Sequence, residues 1–185
     1  TRASKMTGQM ILSSATARFP YHFDAANTAV FHLRGVRRVW VSPTSENYLA
    51  QAEAEKAIMG VSNGELTHVR TGDNAAWRFD IVPGEALALP LHAPHRVEND
   101  KGLCVSVVLS YETVHSQITN GAHIANGVFR RWDRKVRRME QTSYLARSVL
   151  WLASLAFTTT GLVKREAPMI RRGPDIARCA IEQDW

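Results

Sequence analysis

His22 and Asp24 stand two residues apart in the run Phe19-Pro20-Tyr21-His22-Phe23-Asp24, and on a strand a residue and its second neighbour present their side chains to one face. A neutral imidazole and a carboxylate placed this way can share one divalent metal ion. A later run, from Gly84 to Pro90 and on through Pro94-His95-Arg96-Val97-Glu98-Asn99, returns a distant histidine on another strand, and His95 is the third ligand expected. Two imidazoles and one carboxylate on one side of a metal leave its other positions open for substrate and oxygen, which suits non-haem iron(II). The competing reading is a surface His and Asp beside a turn, a pairing that chance also produces. His92 competes with His95, but three residues separate them, so on one regular strand they face opposite sides. His32, His68, His115 and His123 have no partner at ligand spacing and read as ordinary. Cys104 reads as a small core residue.

Strands must deliver these groups. Short β-branched and aromatic runs bounded by Gly, Pro, Asn and Asp predict strands over 9–13, 21–24, 28–33, 37–41, 77–81, 86–90, 95–98 and 103–111. Close spacing without crossover helices argues against a parallel sheet and for an antiparallel jelly roll. Between the fourth and fifth strands an Ala-, Glu- and Lys-rich stretch predicts a helix over 46–59, with Thr44 or Ser45 to cap it and Gly60 to end it.

From Asn126 the character changes. Val128, Trp132, Val136 and Met139 recur at helical spacing among Arg130, Arg131, Arg134, Arg137 and Arg138, predicting a basic amphipathic helix over 126–140. A second helix is expected over 144–157, with Leu145, Val149, Leu152 and Ala156 on one face. The expected organisation is therefore a β domain over 1–125 and a helical basic extension over 126–185, its tail irregular after Pro168.

The chain has 185 residues and a net charge of +6. Residues 1–125 carry eleven basic against eleven acidic side chains, and residues 126–172 carry eleven against three. The charge thus belongs to the extension and not to the main body, which argues against a nucleic-acid binder built on a basic domain. Two cysteines, Cys104 and Cys179, are too few for a disulfide framework, and with no secretory signal pattern the expected location is the cytoplasm. The uncharged run between Arg147 and Lys164 is 16 residues long, short for a membrane span. The chain opens at Thr1 without Met, just before a strand, and reads as a piece of a longer protein.

Taken together, His22 to Asp24, the run Phe31-His32-Leu33-Arg34-Gly35-Val36-Arg37-Arg38-Val39-Trp40 with Pro43, and Pro90-Leu91-His92-Ala93-Pro94-His95-Arg96-Val97 resemble the cupin-like proteins of the JmjC class. The resemblance covers about residues 8–112. It implies a double-stranded β-helix, the cupin jelly roll, followed by C-terminal helices. It also implies an Fe(II)- and 2-oxoglutarate-dependent oxygenase in which His22, Asp24 and His95 hold iron. In the related asparaginyl hydroxylase a lysine on the strand after His-x-Asp pairs with the far carboxylate of 2-oxoglutarate, and Arg37 occupies that place. Strand alternation turns Arg37 inward with Val39 and Val41, while its position beside the Gly35-Val36 turn also allows a solvated side chain. Thr28 and Ser110 fall where the relative has amide side chains near cosubstrate and metal. Phe19 replaces a threonine that helps to hold the cosubstrate, and an apolar group there would remodel or close that pocket.

The alternative is a non-catalytic metal-binding cupin, a sensor or regulatory module; a third is a cupin isomerase or epimerase without redox chemistry. The substrate, whether protein, saccharide or small molecule, is not written in the residues. Relatives dimerise through C-terminal helices, and the apolar row from Leu145 would suit a homodimer. Residues 126–172 permit contact with nucleic acid, although no helix-turn-helix or zinc-finger spacing is present.

Overall fold

A computed structural model describes residues 3–62, 64–66 and 75–163. Eight strands run in the order β1 (Ala3–Ser13), β2 (Arg18–His22), β3 (Asn27–Arg34), β4 (Arg37–Val41), β5 (Trp77–Ile81), β6 (Ala86–Leu89), β7 (His95–Asn99) and β8 (Cys104–Thr113). They pair antiparallel in two four-stranded sheets, β1-β8-β3-β6 and β2-β7-β4-β5. The chain crosses between sheets at nearly every turn, which is the double-stranded β-helix expected. Each of the eight predicted strands is present, with shifts of boundary only.

Alternation along the strands fills the space between the sheets. On β4 the buried residues are Arg37, Val39 and Val41, and Val39 and Val41 pack with Ile81, Leu89 and Ala93, flanked by Leu87 and Val97. The turn joining β3 to β4 needs its glycine: Gly35 has φ +84, and a Cβ there would meet the Cys104 Sγ at 2.6 Å and the Leu103 carbonyl at 2.8 Å. Cys104 is a buried core residue, as expected.

The helices depart further from expectation. The first, α1 (Gln51–Ile58), starts later than predicted and neither Thr44 nor Ser45 caps it. Instead Ser45 opens a turn through its carbonyl, bonded by the amides of Tyr48 and Leu49, and the Glu46 carboxylate accepts from the Gln51 amide at 3.1 Å in place of a cap. Gly60 ends the helix in the left-handed region, φ 78.

The basic helix expected over 126–140 is corrected. A continuous α2 (Val114–Arg131) begins directly after β8 and stops nine residues short of Glu140. Its start is fixed by a reciprocal cap: the Thr113 side chain accepts from the Ser116 amide, and the Ser116 hydroxyl accepts from the Thr113 amide. Its end is a left-handed turn at Asp133, φ 56, with the amides of Asp133 and Arg134 bonded back to the carbonyls of Arg130 and Phe129. Beyond a single 3-10 turn over Met139–Gln141 comes α3 (Tyr144–Thr159). Position 126, where the change of character was expected, lies inside α2. No helix of the described residues is long and apolar enough to cross a membrane. His68 and everything after Val163, including Cys179 and the tail, lie outside the described residues.

The helices dock on one another. Glu55 of α1, 1% exposed, accepts from Arg130 of α2 at 2.8 Å and from Gln51 at 2.8 Å, so the buried carboxylate is paired. Met59, Ile124, Val128 and Val163 form a small core between the helices. At the α2–α3 crossing, a Cβ on Gly121 would lie 2.3 Å from Trp151 Cδ1 and 3.1 Å from its Cα. Backbone cannot yield there as a side-chain tip can. Gly121→Ala is therefore expected to lower stability by about 1–3 kcal/mol despite the better helix propensity of Ala. At Gly127 the obstacle is the flexible end of Met59, and Gly127→Ala should be near neutral. Paired urea titrations measure the difference.

Candidate metal centre

The site lies where β2 meets β7. His22 is the last residue of β2 and pairs across the sheet with His95, the first of β7, which in turn pairs with Val41 of β4. Asp24 sits two residues past the end of β2, in the turn to β3, so turn geometry and not strand alternation brings it round. The ligand atoms of His22, Asp24 and His95 all lie within 4.8 Å of one another. The two imidazoles are 4.2 Å apart between centroids, and His95 Nε2 is 3.9 Å from Asp24 Oδ2. Among the described residues this is the one cluster of three or more metal-ligating side chains so arranged.

The hydrogen bonds behind these ligands fix which atoms are offered. His22 Nδ1 donates to the Pro20 carbonyl at 2.8 Å, and His95 Nδ1 donates to the Ala93 carbonyl at 2.9 Å. A carbonyl can only accept, so in both rings the proton sits on Nδ1 and the Nε2 lone pair is free to ligate. Asp24 Oδ2 accepts from the Thr28 hydroxyl at 2.8 Å, which orients the carboxylate. His95 is 4% exposed. Burial holds its pKa below the ordinary histidine value, nearby His22 pushes the same way, and Asp24 opposes both. The neutral ring is the ligating form. Two imidazole nitrogens and one carboxylate oxygen fit a borderline divalent ion such as iron(II).

His92 is not on a strand at all. It occupies a left-handed turn, φ 62, with its Nε2–H on the side-chain oxygen Oδ1 of Asn120 on α2 at 2.7 Å. Asn120 also donates to the Ala25 carbonyl at 2.7 Å. One α2 side chain thus fastens the turn that carries Asp24 and the turn that leads into His95. The sequence reading missed Asn120 because it missed the first half of α2. Asn120→Ala is expected to weaken metal binding roughly 10–100-fold, the usual cost of losing an outer partner, measured by competition with a chelating dye.

The other candidate residues divide. Thr28 and Ser110 are register partners on β3 and β8, and of the two it is Thr28 that bonds Asp24. Arg37 points inward, as alternation predicts, and is 4% exposed. Its Nε donates to Asn99 Oδ1 at 3.2 Å and its Nη2 to Ser13 Oγ at 2.8 Å. Both partners are neutral, and burial lowers its pKa. Arg37 pairs with Asn99 while Val41 pairs with His95, so Arg37 lies four residues, or about 13 Å of strand, from the level of the triad. Phe19 lies opposite Val97 in register on the edge strand β2 and is 37% exposed, so it does not fill the interior. His32 is a buried structural residue, bonded to Ser106 Oγ at 2.8 Å and the Gly35 carbonyl at 3.0 Å.

No protein-family model and no curated protein matches the sequence. Among solved structures, the chain is similar to the DMSP lyase DddQ of Ruegeria pomeroyi, with 14% identity over 59% of this chain and 39% of that one and a TM-score of 0.38. The cupin domain of Schizosaccharomyces pombe Cnp3 gives 12%, 58%, 53% and 0.38. A cupin superfamily protein of Desulfitobacterium hafniense gives 10%, 61%, 83% and 0.36. The chain spans about two fifths of the lyase and about half of the Cnp3 domain. At these scores the assignment of the double-stranded β-helix rests on strand order and register.

Proposed function

We propose that this chain is a metal-dependent cupin of the Fe(II)- and 2-oxoglutarate-dependent oxygenase type, with His22, Asp24 and His95 as the iron ligands. The observation that carries the reading is the triad itself: two Nε2 lone pairs and one oriented carboxylate converge from three points of the barrel. Bound iron(II) would supply oxygen activation and a Lewis-acid site for a chelating cosubstrate. The protein's share is to turn both Nε2 atoms toward the site, to keep the buried His95 ring neutral and to hold the carboxylate through Thr28. Support for the cosubstrate comes from Arg37, a buried guanidinium that donates to the neutral acceptors Asn99 and Ser13, the kind of cation that a carboxylate pairs with bidentately.

The second reading is a metal-holding cupin that binds no 2-oxoglutarate. The engagement of Arg37 by Ser13 and Asn99 favours it. Anaerobic titration of Fe(II)-loaded protein with 2-oxoglutarate separates the two. A visible charge-transfer band, weakened in Arg37→Lys, supports the oxygenase; iron retention with neither a band nor calorimetric binding supports the alternative. Self-association would run through α3, whose Leu145, Val149 and Leu152 are exposed in the single chain.

A further inference from the structure

Beside α2, on the far side of His92 and Phe23 from the metal ligands, the structure has a second concave site. It is an open cleft of about 230 Å³, walled by the β4–α1 connection, the Leu91–His92 turn, α2 and the segment from Arg138 to Arg147. None of the three metal ligands lines it. Its floor is polar in an unusual way. Thr119 and His123, one turn apart on α2, are 6% and 5% exposed, yet Thr119 Oγ1 and His123 Nδ1 have no hydrogen-bond partner. Such buried groups are normally satisfied by protein, water or ligand.

The walls give the chemistry of what would satisfy them. The carboxylates of the cleft are already engaged by backbone amides: Glu46 by Gln51 and Glu140 by Glu46. The cations are less so. Arg147 spends Nε and Nη2 on the carbonyls of Thr142 and Met139, and Arg138 has no ion pair among the described residues. Leu49, Leu91 and Met139 supply an apolar side. We infer that this cleft binds a small carboxylate with a compact apolar body, its two charged oxygens shared between Arg138 and the Thr119–His123 pair. The inference is independent of the metal centre and of 2-oxoglutarate.

Benzoate is the probe. The 185-residue chain labelled with ¹⁵N-histidine is titrated in the presence of a metal chelator, so that ligation at the triad is not read as binding. The expected result is a saturable shift of the His123 and His115 ring signals. Benzamide should bind about tenfold weaker, and Arg138→Met should weaken benzoate about tenfold, as loss of one charge-assisted contact does. Thr119→Val should do the same; if it fails to fold, the exposed Arg138→Met variant decides alone. No saturable shift, or a shift that survives Arg138→Met and does not distinguish acid from amide, overturns the inference and leaves a water-filled cleft.

Discussion

His95→Ala is expected to abolish retention of iron(II) or cobalt(II) through desalting, with apparent affinity falling by more than the roughly 100-fold ceiling of outer-partner losses. His95 supplies one of only three protein donors, its Nε2 freed by the Nδ1 bond to Ala93, and it sits opposite His22 in register. With two donors left, a site of this type has no means of holding a labile ion against solvent. His92→Ala provides the contrast. That ring is spent on Asn120, so its loss should cost affinity only indirectly, within the range expected for Asn120→Ala. Anaerobic loading followed by metal analysis decides. Metal retained in His95→Ala and lost in His92→Ala would transfer the third position to His92 and undo the triad.

The clustering of His22, Asp24 and His95 follows from strands that are legible in the sequence. The strands announced themselves because β-branched and aromatic runs sit between turn residues, and a sheet buried on one face leaves its period on the chain. Arg37 was turned inward by the same alternation. Asp24 joins the two histidines by a route other than strand alternation: β2 ends at His22, and the carboxylate reaches them through a turn locked by Thr28. The helices were less legible. Gly121, Gly127 and the polar Thr119, Asn120, His123 and Asn126 dilute the apolar period of α2, because these residues face a cleft and a close helix crossing and not a uniform core. The arginines from 130 to 138 then lent a false period to a segment that leaves the helix at Arg131. Asn120 and the cleft depend on contacts between positions 28 or more residues apart, and spacing along the chain carries no trace of those.

The same buried histidines predict how the fold responds to acid. Burial lowers His92 to about 4, opposed by its bond to Asn120, and lowers His123 to about 3, helped by His92 and Arg147. Above about pH 6.5 both rings are neutral in the folded and unfolded chain alike, and they add no pH dependence. Below it the unfolded chain takes up protons that the folded chain refuses until pH reaches the lowered values, so stability falls with falling pH. Each ring contributes about 1.4 kcal/mol per pH unit, and between 6.5 and 4 the two together remove more than about 5 kcal/mol, comparable to the whole stability of many domains. Guanidinium midpoints at pH 8, 6.5, 5.5 and 4.5 should therefore be level across the first two and drop steeply across the last two. In the His92→Gln, His123→Gln double variant the absolute midpoint will move, but the slope below pH 6.5 is the diagnostic quantity and should flatten. An unchanged slope would mean that these rings already exchange protons in the native state, so that the wall between cleft and metal centre opens far more readily than its packing implies.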